Sequence, residues 1–181
     1  SIAPMLELRD AGVVAFSDDG SPISNTRGLR IALEYASMLN VPIIQHAEDP
    51  LLFKGGAMNE SIVSTQLGLP SISRLSEDTV VMRDLEFTAY VNGRYHLAHM
   101  STAGAADAVR LAKARGLRVT SEVAPHHFSL TDEALRSYDS NYKMNPPLRT
   151  AEDVRAMKEA LRDGTADAIA TDHAPHAIHE K

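Results

Sequence analysis

Short runs of branched apolar residues that stop abruptly at acids or histidines recur along this chain, and longer stretches with apolar residues at helical spacing separate them. Residues 3 to 11 read as the end of a helix, with Gly12 as its left-handed terminator. Val13-Val14-Ala15-Phe16 follows as a continuous apolar run of the kind buried on both faces, and it empties into a turn cluster from Ser17 to Pro22. Asn25 or Thr26 opens an amphipathic helix to about residue 40, with Leu29, Leu33, Ala36 and Leu39 on one face. Residues 41 to 46 form the next strand, ending in His46-Ala47-Glu48-Asp49. The segment from 51 to 70 is irregular, with a helix from about Asn59 to Leu67, and Ser71 or Ser73 caps a long helix through Tyr90 or Val91. Tyr95 to His99 is a third strand, and period-two geometry puts 95, 97 and 99 on one face and 96 and 98 on the other. A helix capped by Ser101 or Thr102 and a strand from 117 to 123 follow, leading to Pro125-His126-His127. After a short helix near Thr131 to Ser137, residues 142 to 149 must be extended, because residues before proline avoid the helical region. Thr150, with Asp153 three residues on, opens a helix to about Arg162, and a last apolar run delivers Asp172-His173-Ala174-Pro175-His176.

Five strands alternating with helices, with no hairpin signal, imply parallel pairing, and both a doubly wound sheet and a (β/α)8 TIM barrel fit. Polar residues stand at the carboxyl end of all five, which favours the barrel, because an open sheet concentrates its site at one switch point. A complete barrel needs eight strands and about 250 residues. The expectation is therefore a single partial barrel domain over residues 1–181, with three strands preceding it. Two open sheet edges would make the 181 residues alone associate or stay partly unfolded.

Composition narrows the chemistry. The chain is 44% hydrophobic and 23% charged, ordinary globular material. Its net charge of -6 and lack of a basic run leave no electrostatic footprint for nucleic acid or an anionic membrane. No apolar stretch approaches the roughly 18 residues of a membrane span. Small molecules are the expected partners and the cytoplasm the expected compartment. With no cysteine and eight histidines, any metal must be held by imidazole and carboxylate.

The strand-end residues Asp18 or Asp19, His46, His99, His126 or His127, and Asp172 would converge on one rim, a set suited to zinc or a related divalent ion. His99 is chosen over His96 because it is terminal and parallels His46 in its strand. Such a site would make amide hydrolysis feasible, and Asp172 is the best placed carboxylate to move a proton from nucleophile to leaving nitrogen. Asp18 reads as a turn acid. Glu48 and Asp49 either orient His46 or begin the following loop.

The segments Phe16-Ser17-Asp18-Asp19-Gly20, His46-Ala47-Glu48-Asp49, His99-Met100-Ser101-Thr102, Asn145-Pro146-Pro147-Leu148-Arg149 and Ala170-Thr171-Asp172-His173-Ala174-Pro175-His176 together resemble the dihydroorotases of the amidohydrolase superfamily. The resemblance implies strands four to eight of an amidohydrolase barrel and a hydrolase acting on cyclic amide C–N bonds. Its reaction would interconvert N-carbamoyl-L-aspartate and L-dihydroorotate in pyrimidine biosynthesis, with one or two Zn2+ ions. It implies Asp19 as a carboxylate bridging two ions, where most relatives carry a carbamylated lysine. It further implies His46 and His99 as zinc ligands, Asp172 as ligand and general acid/base, and Asn145 and His176 as substrate contacts. The implied partners are a second copy, as a homodimer, and aspartate transcarbamoylase. The alternatives are a hydantoinase or allantoinase, and a catalytically silent scaffold subunit; the first normally uses the modified lysine, and the second is expected to have lost metal ligands.

Overall fold

The computed structural model describes residues 2–177. Eight α-helices and seven short strands alternate along the described residues: α1 (Met5–Asp10), β1 (Phe16–Ser17), α2 (Thr26–Leu39), β2 (Ile43–Gln45), α3 (Pro50–Phe53), β3 (Met58–Asn59), α4 (Ile62–Leu67), β4 (Ser71–Ile72), α5 (Leu75–Val91), β5 (Arg94–Leu97), α6 (Ala103–Ala114), β6 (Arg118–Val123), α7 (Pro125–Ser129), α8 (Ala151–Asp163) and β7 (Ala168–Ile169). Two 3-10 turns, Asp132–Ser137 and Ser140–Tyr142, lie between α7 and α8. The main sheet is parallel throughout, in the order β1-β2-β5-β6-β7. All carboxyl ends therefore point the same way, as the alternating pattern predicts.

One face of the sheet is covered. Tyr95 and Leu97 of β5 and Val119 and Val123 of β6 pack with Val81 and Leu85 of α5, Val109 of α6 and Met157 of α8. Leu29, Leu33 and Ala36 of α2 close over Ile43 in a second cluster. On the other face His96 pairs across the ladder with Thr120, and its ring contacts the Thr120 hydroxyl at 2.8 Å and the Glu122 carboxylate at 3.1 Å. This is the alternation expected of an inward-facing barrel wall. The histidine that sequence periodicity set aside is thus a packed residue with its own partners.

The caps follow the sequence closely. Asn25 accepts from Gly28 N at 3.1 Å, Thr102 from Ala105 N at 3.1 Å, and Thr150 and Asp153 form a reciprocal capping box at the start of α8. Asn40 and Asn92 end α2 and α5 in the left-handed conformation.

Three expectations are corrected or refined. The first strand is confined to Phe16–Ser17, and Val14 is 80% exposed, because this strand lies at the sheet edge and pairs only with β2. Of the two serines expected before α5, Ser73 Oγ accepts from Leu75 N at 3.4 Å, whereas Ser71 belongs to a separate two-stranded parallel ladder in which Met58 pairs with Ser71 and Asn59 with Ile72. The strand from 117 to 123 ends where expected, but no helix was expected between it and the one near Thr131: Pro125-His126-His127 form the first turn of α7, with the proline at a position where its missing N–H costs nothing.

A buried polar network sits where α5, the loop after β5 and the approach to α8 meet. Glu77 and Arg149, each 3% exposed, form an ion pair at 3.3 Å. Arg149 also donates to Ser101 Oγ at 3.0 Å and Asn59 Oδ1 at 2.9 Å, while Glu77 accepts from the backbone N of Ser101 at 2.8 Å and of Thr102 at 3.2 Å. The Ser101 hydroxyl closes the ring against Glu77. Next to it Asp78 accepts from Thr102 Oγ1 at 2.6 Å, a contact that needs a glycine at 104, since a Cβ there would lie 2.6 Å from the carboxylate.

Removing one member of a buried, hydrogen-bonded pair leaves an uncompensated charge and costs about 3–5 kcal/mol. Arg149→Met is expected to destabilise the intact protein by that amount in urea unfolding, and Arg149→Met with Glu77→Leu to recover part of it. Thr150→Ala, which removes only a cap, should cost about 1 kcal/mol. Equal losses for the cap and ion-pair variants would contradict this ranking.

Candidate metal centre

Each ligand is delivered by a strand end in its own way. After β1 the chain turns at once: Ser17 Oγ accepts from Asp19 N at 3.0 Å, and Asp19 Oδ1 accepts from Gly20 N at 3.0 Å. Gly20 takes the positive φ of 78° that this turn needs. β2 carries buried Gln45 directly into buried His46. β5 ends at Leu97, and Ala98 N then donates to Gln45 O at 3.1 Å and Met100 N to Glu122 O at 2.8 Å. Between these anchors His99 adopts a φ of 31°, a conformation that residues with a Cβ rarely take.

This departure corrects the face assigned to residue 99 by period-two alternation, not its place at the strand end. Tyr95 and Leu97 point into the helical layer, so strict alternation would have sent residue 99 there as well. The positive φ turns it to the rim instead.

His46 Nδ1 and His99 Nε2 lie 2.9 Å apart, with Asp19 Oδ1 at 3.7 Å from the first and 3.6 Å from the second. Among the described residues these three form a compact group whose ligand atoms all fall within 4.8 Å of one another. The rings meet edge to face at 72°. Glu48 Oε2 lies 3.0 Å from His46 Nε2, so that nitrogen carries the proton and Nδ1 turns its lone pair to the rim. Among the described residues His99 Nδ1 is buried with no hydrogen-bond partner, which leaves Nε2 as the atom through which this ring meets its neighbours. Two imidazole nitrogens and a carboxylate oxygen so arranged fit one divalent ion of the zinc type. Burial works against charge on His46, yet the Glu48 hydrogen bond and charge, with Asp19 and Glu77 beyond, hold its pKa above the ordinary imidazole value. The pocket is therefore cation-seeking.

The other expected residues stand around this group. Asn145, followed by a cis peptide to Pro146, places Nδ2 3.3 Å from both Glu48 Oε2 and His46 Nε2. Asp172 follows β7 in an exposed loop with φ 50°; it lies outside the three-ligand group, and its charge acts on His126. His176 is exposed in the same loop, and Asp18 is an exposed turn residue whose carbonyl accepts from Ser21 N at 2.8 Å. Asp49 caps α3 through Leu51 N at 2.8 Å and does not touch His46.

A profile of the family described as Dihydro-orotase-like matches residues 2–105, more than half of the chain. The chain belongs to this family. It is 55% identical over 180 residues to a dihydroorotase of Geobacter metallireducens, and 54% identical over 181 residues to one of Geobacter sulfurreducens. These alignments cover 99% and 100% of this chain but 42% and 43% of the relatives, so the chain spans about two fifths of their length. The fold is shared with an L-hydantoinase (dihydropyrimidinase) from Arthrobacter aurescens, at a TM-score of 0.81 and 19% identity over 98% of this chain and 42% of that one. A D-hydantoinase structure matches at a TM-score of 0.79 and 20% identity over 97% of this chain and 42% of that one. The five-stranded parallel sheet is accordingly an arc of the amidohydrolase (β/α)8 barrel.

Within that arc stands His127, one of the two histidines expected at the rim after the strand from 117 to 123. It is 2% exposed, and its Nε2 lies 3.0 Å from Pro146 O, the donor geometry of a neutral ring holding the 145–149 strap. Burial, reinforced by His126, lowers its pKa to about 3. His126, whose ring meets it edge to face with centroids 4.2 Å apart, is lowered as well, by burial, with Asp172 pulling the other way. Behind the sheet Asp84 is raised to about 6 by burial, against its bonds to Arg83 and Tyr95. Tyr95 Oη donates to it at 3.1 Å.

The folded pKa of His127 lies below its unfolded value of about 6.5, so the unfolded chain binds the extra proton. The stability this ring contributes is complete above about pH 6.5 and is lost as pH falls toward about 3. Asp84 runs the other way: its contribution is complete below about pH 4 and lost as pH rises through about 6. Urea midpoints of the intact protein between pH 7 and 4 should therefore fall less steeply in His127→Gln than in the unsubstituted protein. Parallel curves would show that His127 titrates normally.

Proposed function

We propose that this chain is the metal-binding arc of a zinc-dependent dihydroorotase, whose intact form interconverts N-carbamoyl-L-aspartate and L-dihydroorotate in pyrimidine biosynthesis. The observation that carries the reading is the Asp19–His46–His99 group, in which three consecutive strands of the main sheet bring a carboxylate and two imidazoles within bonding reach of one ion. Membership of the family and 54–55% identity to proteins named dihydroorotase over the whole chain support it.

In this reading Asp19, His46 and His99 hold zinc, and Asp172 completes the ligand set from β7. One or two ions, when bound, supply Lewis acidity toward the amide carbonyl and lower the pKa of water to about 7. Asp172, in an exposed loop at the carboxyl end of the sheet, would serve as the general acid/base that takes up a proton and delivers it to the leaving ring nitrogen. Asn145 and His176 contact the substrate; Asn145 already reaches the ligand group, and His176 shares the loop of Asp172. Asp19 in place of a modified lysine separates this site from hydantoin-type amidases, whose likeness to it extends to the fold. The working partners are the small-molecule substrate, a second copy of the chain and aspartate transcarbamoylase, and the compartment is the cytoplasm. No helix among the described residues is long and apolar enough to cross a membrane.

In the intact protein, Asp172→Asn should lower turnover of dihydroorotate by at least about 100-fold, the range of general acid–base contributions, with an unchanged melting curve. Chelation should abolish turnover and zinc restore it. A substrate panel of dihydroorotate, hydantoin and allantoin completes the test. Preferential hydantoin turnover, or full activity in Asp172→Asn, would overturn the assignment.

A further inference from the structure

Glu48 touches two different parts of the candidate site. Its Oε2 lies 3.0 Å from His46 Nε2 and 3.3 Å from Asn145 Nδ2. Its neighbours already have structural tasks. Asp49 caps α3 and exchanges hydrogen bonds with Ser76 of α5, through Asp49 N to Ser76 O at 2.8 Å and Ser76 Oγ to Asp49 O at 3.1 Å. Ala47 is packed in the core beneath. The backbone of 47–49 is thus fixed without Glu48. Its side chain, only 11% exposed, is carried into a small enclosure with Ile72, Pro146 and Pro147. No hydrogen bond other than those to His46 and Asn145 accounts for burying this carboxylate among the described residues.

We propose that Glu48 is a positioning residue that sets the metal ligand and the substrate contact together. By accepting from His46 Nε2–H it fixes the tautomer and the ring plane that aim Nδ1 at Asp19 and His99. By accepting from the Asn145 amide it fixes which end of that amide is spent, so that Oδ1 is the end left to meet a substrate N–H. An acceptor behind a ligating imidazole raises its basicity and holds its orientation, and loss of such an acceptor typically weakens metal affinity 10–100-fold. Both contacts are made by the one oxygen, Oε2, so a glutamine at 48 whose amide oxygen takes that place could still accept from His46 and from Asn145, whereas alanine removes both acceptors. The inference rests on the metal reading of the site given above.

The test measures zinc affinity of the intact protein by chelator competition, then kcat and KM for dihydroorotate, in Glu48→Ala, Glu48→Gln and the unsubstituted protein. Glu48→Ala should bind zinc about 10–100-fold more weakly. Glu48→Ala should also raise KM, and Glu48→Gln should recover both zinc affinity and KM to within a few-fold of the unsubstituted protein. Unsubstituted protein that binds no zinc overturns the site reading and this inference together. Tight zinc binding in the unsubstituted protein, matched by Glu48→Ala, overturns the inference alone. A lowered melting temperature in both variants, with zinc affinity falling in proportion and no recovery by glutamine, would assign Glu48 a structural role and also overturn it.

Discussion

The buried pair of Arg149 and Glu77 is the constraint on which the rim depends. Each ion loses several kcal/mol of hydration on burial, and the mutual attraction offsets this only when the remaining donors and acceptors are also occupied. That requirement recruits the backbone of Ser101 and Thr102, the Ser101 hydroxyl and Asn59. The recruited groups come from the loop that follows His99 and from the small β3–β4 ladder. One ion pair therefore fixes the chain just beyond His99, and fixes the carboxyl end of the strap that carries Asn145. His127 fixes the amino end of that strap through Pro146.

Backbone strain is concentrated where chemistry is expected. Among the described residues, His99 and Asp172 combine a side chain with positive φ outside any helix end, and both follow strands of the main sheet. A conformation of this kind costs on the order of 1–3 kcal/mol and persists only when its surroundings over-determine it. At His99 the surroundings are visible: hydrogen bonds on both flanking residues, to Gln45 O and Glu122 O, hold the turn between two neighbouring strands.

Much of this was legible in the amino-acid sequence, for local reasons. The caps at Asn25, Thr102 and Thr150 are decided within four residues, and the apolar runs ending in Asp19, His46 and His99 announce strand ends. What escaped was non-local. Glu77 and Arg149 are 72 residues apart, and nothing in either neighbourhood foretells the other. The β3–β4 ladder is two residues long, too short for alternation to register. Val13–Ala15 looks like interior strand by composition, but the partner that would bury it is not supplied within the described sheet. His99 is chosen for its place at the end of its strand, in parallel with His46; the positive φ that turns it away from the face of Tyr95 and Leu97 is a tertiary feature that period-two alternation does not foretell.

The three candidate ligands differ in how firmly the protein holds them, and the difference bears on what metal binding would do. His46 and His99 are 4% and 5% exposed on strands paired on both sides, whereas the Asp19 side chain is 63% exposed on an edge strand of two residues. The imidazoles form a preorganised half-site, and the carboxylate is the adjustable member. An ion bonded to all three would tie the edge strand to the two interior ones at their carboxyl ends, where the β1–β2 ladder is thinnest. Metal affinity and order of the β1 end are then linked: whatever packs against β1 and steadies Asp19 strengthens the site, and an ion in the site steadies β1.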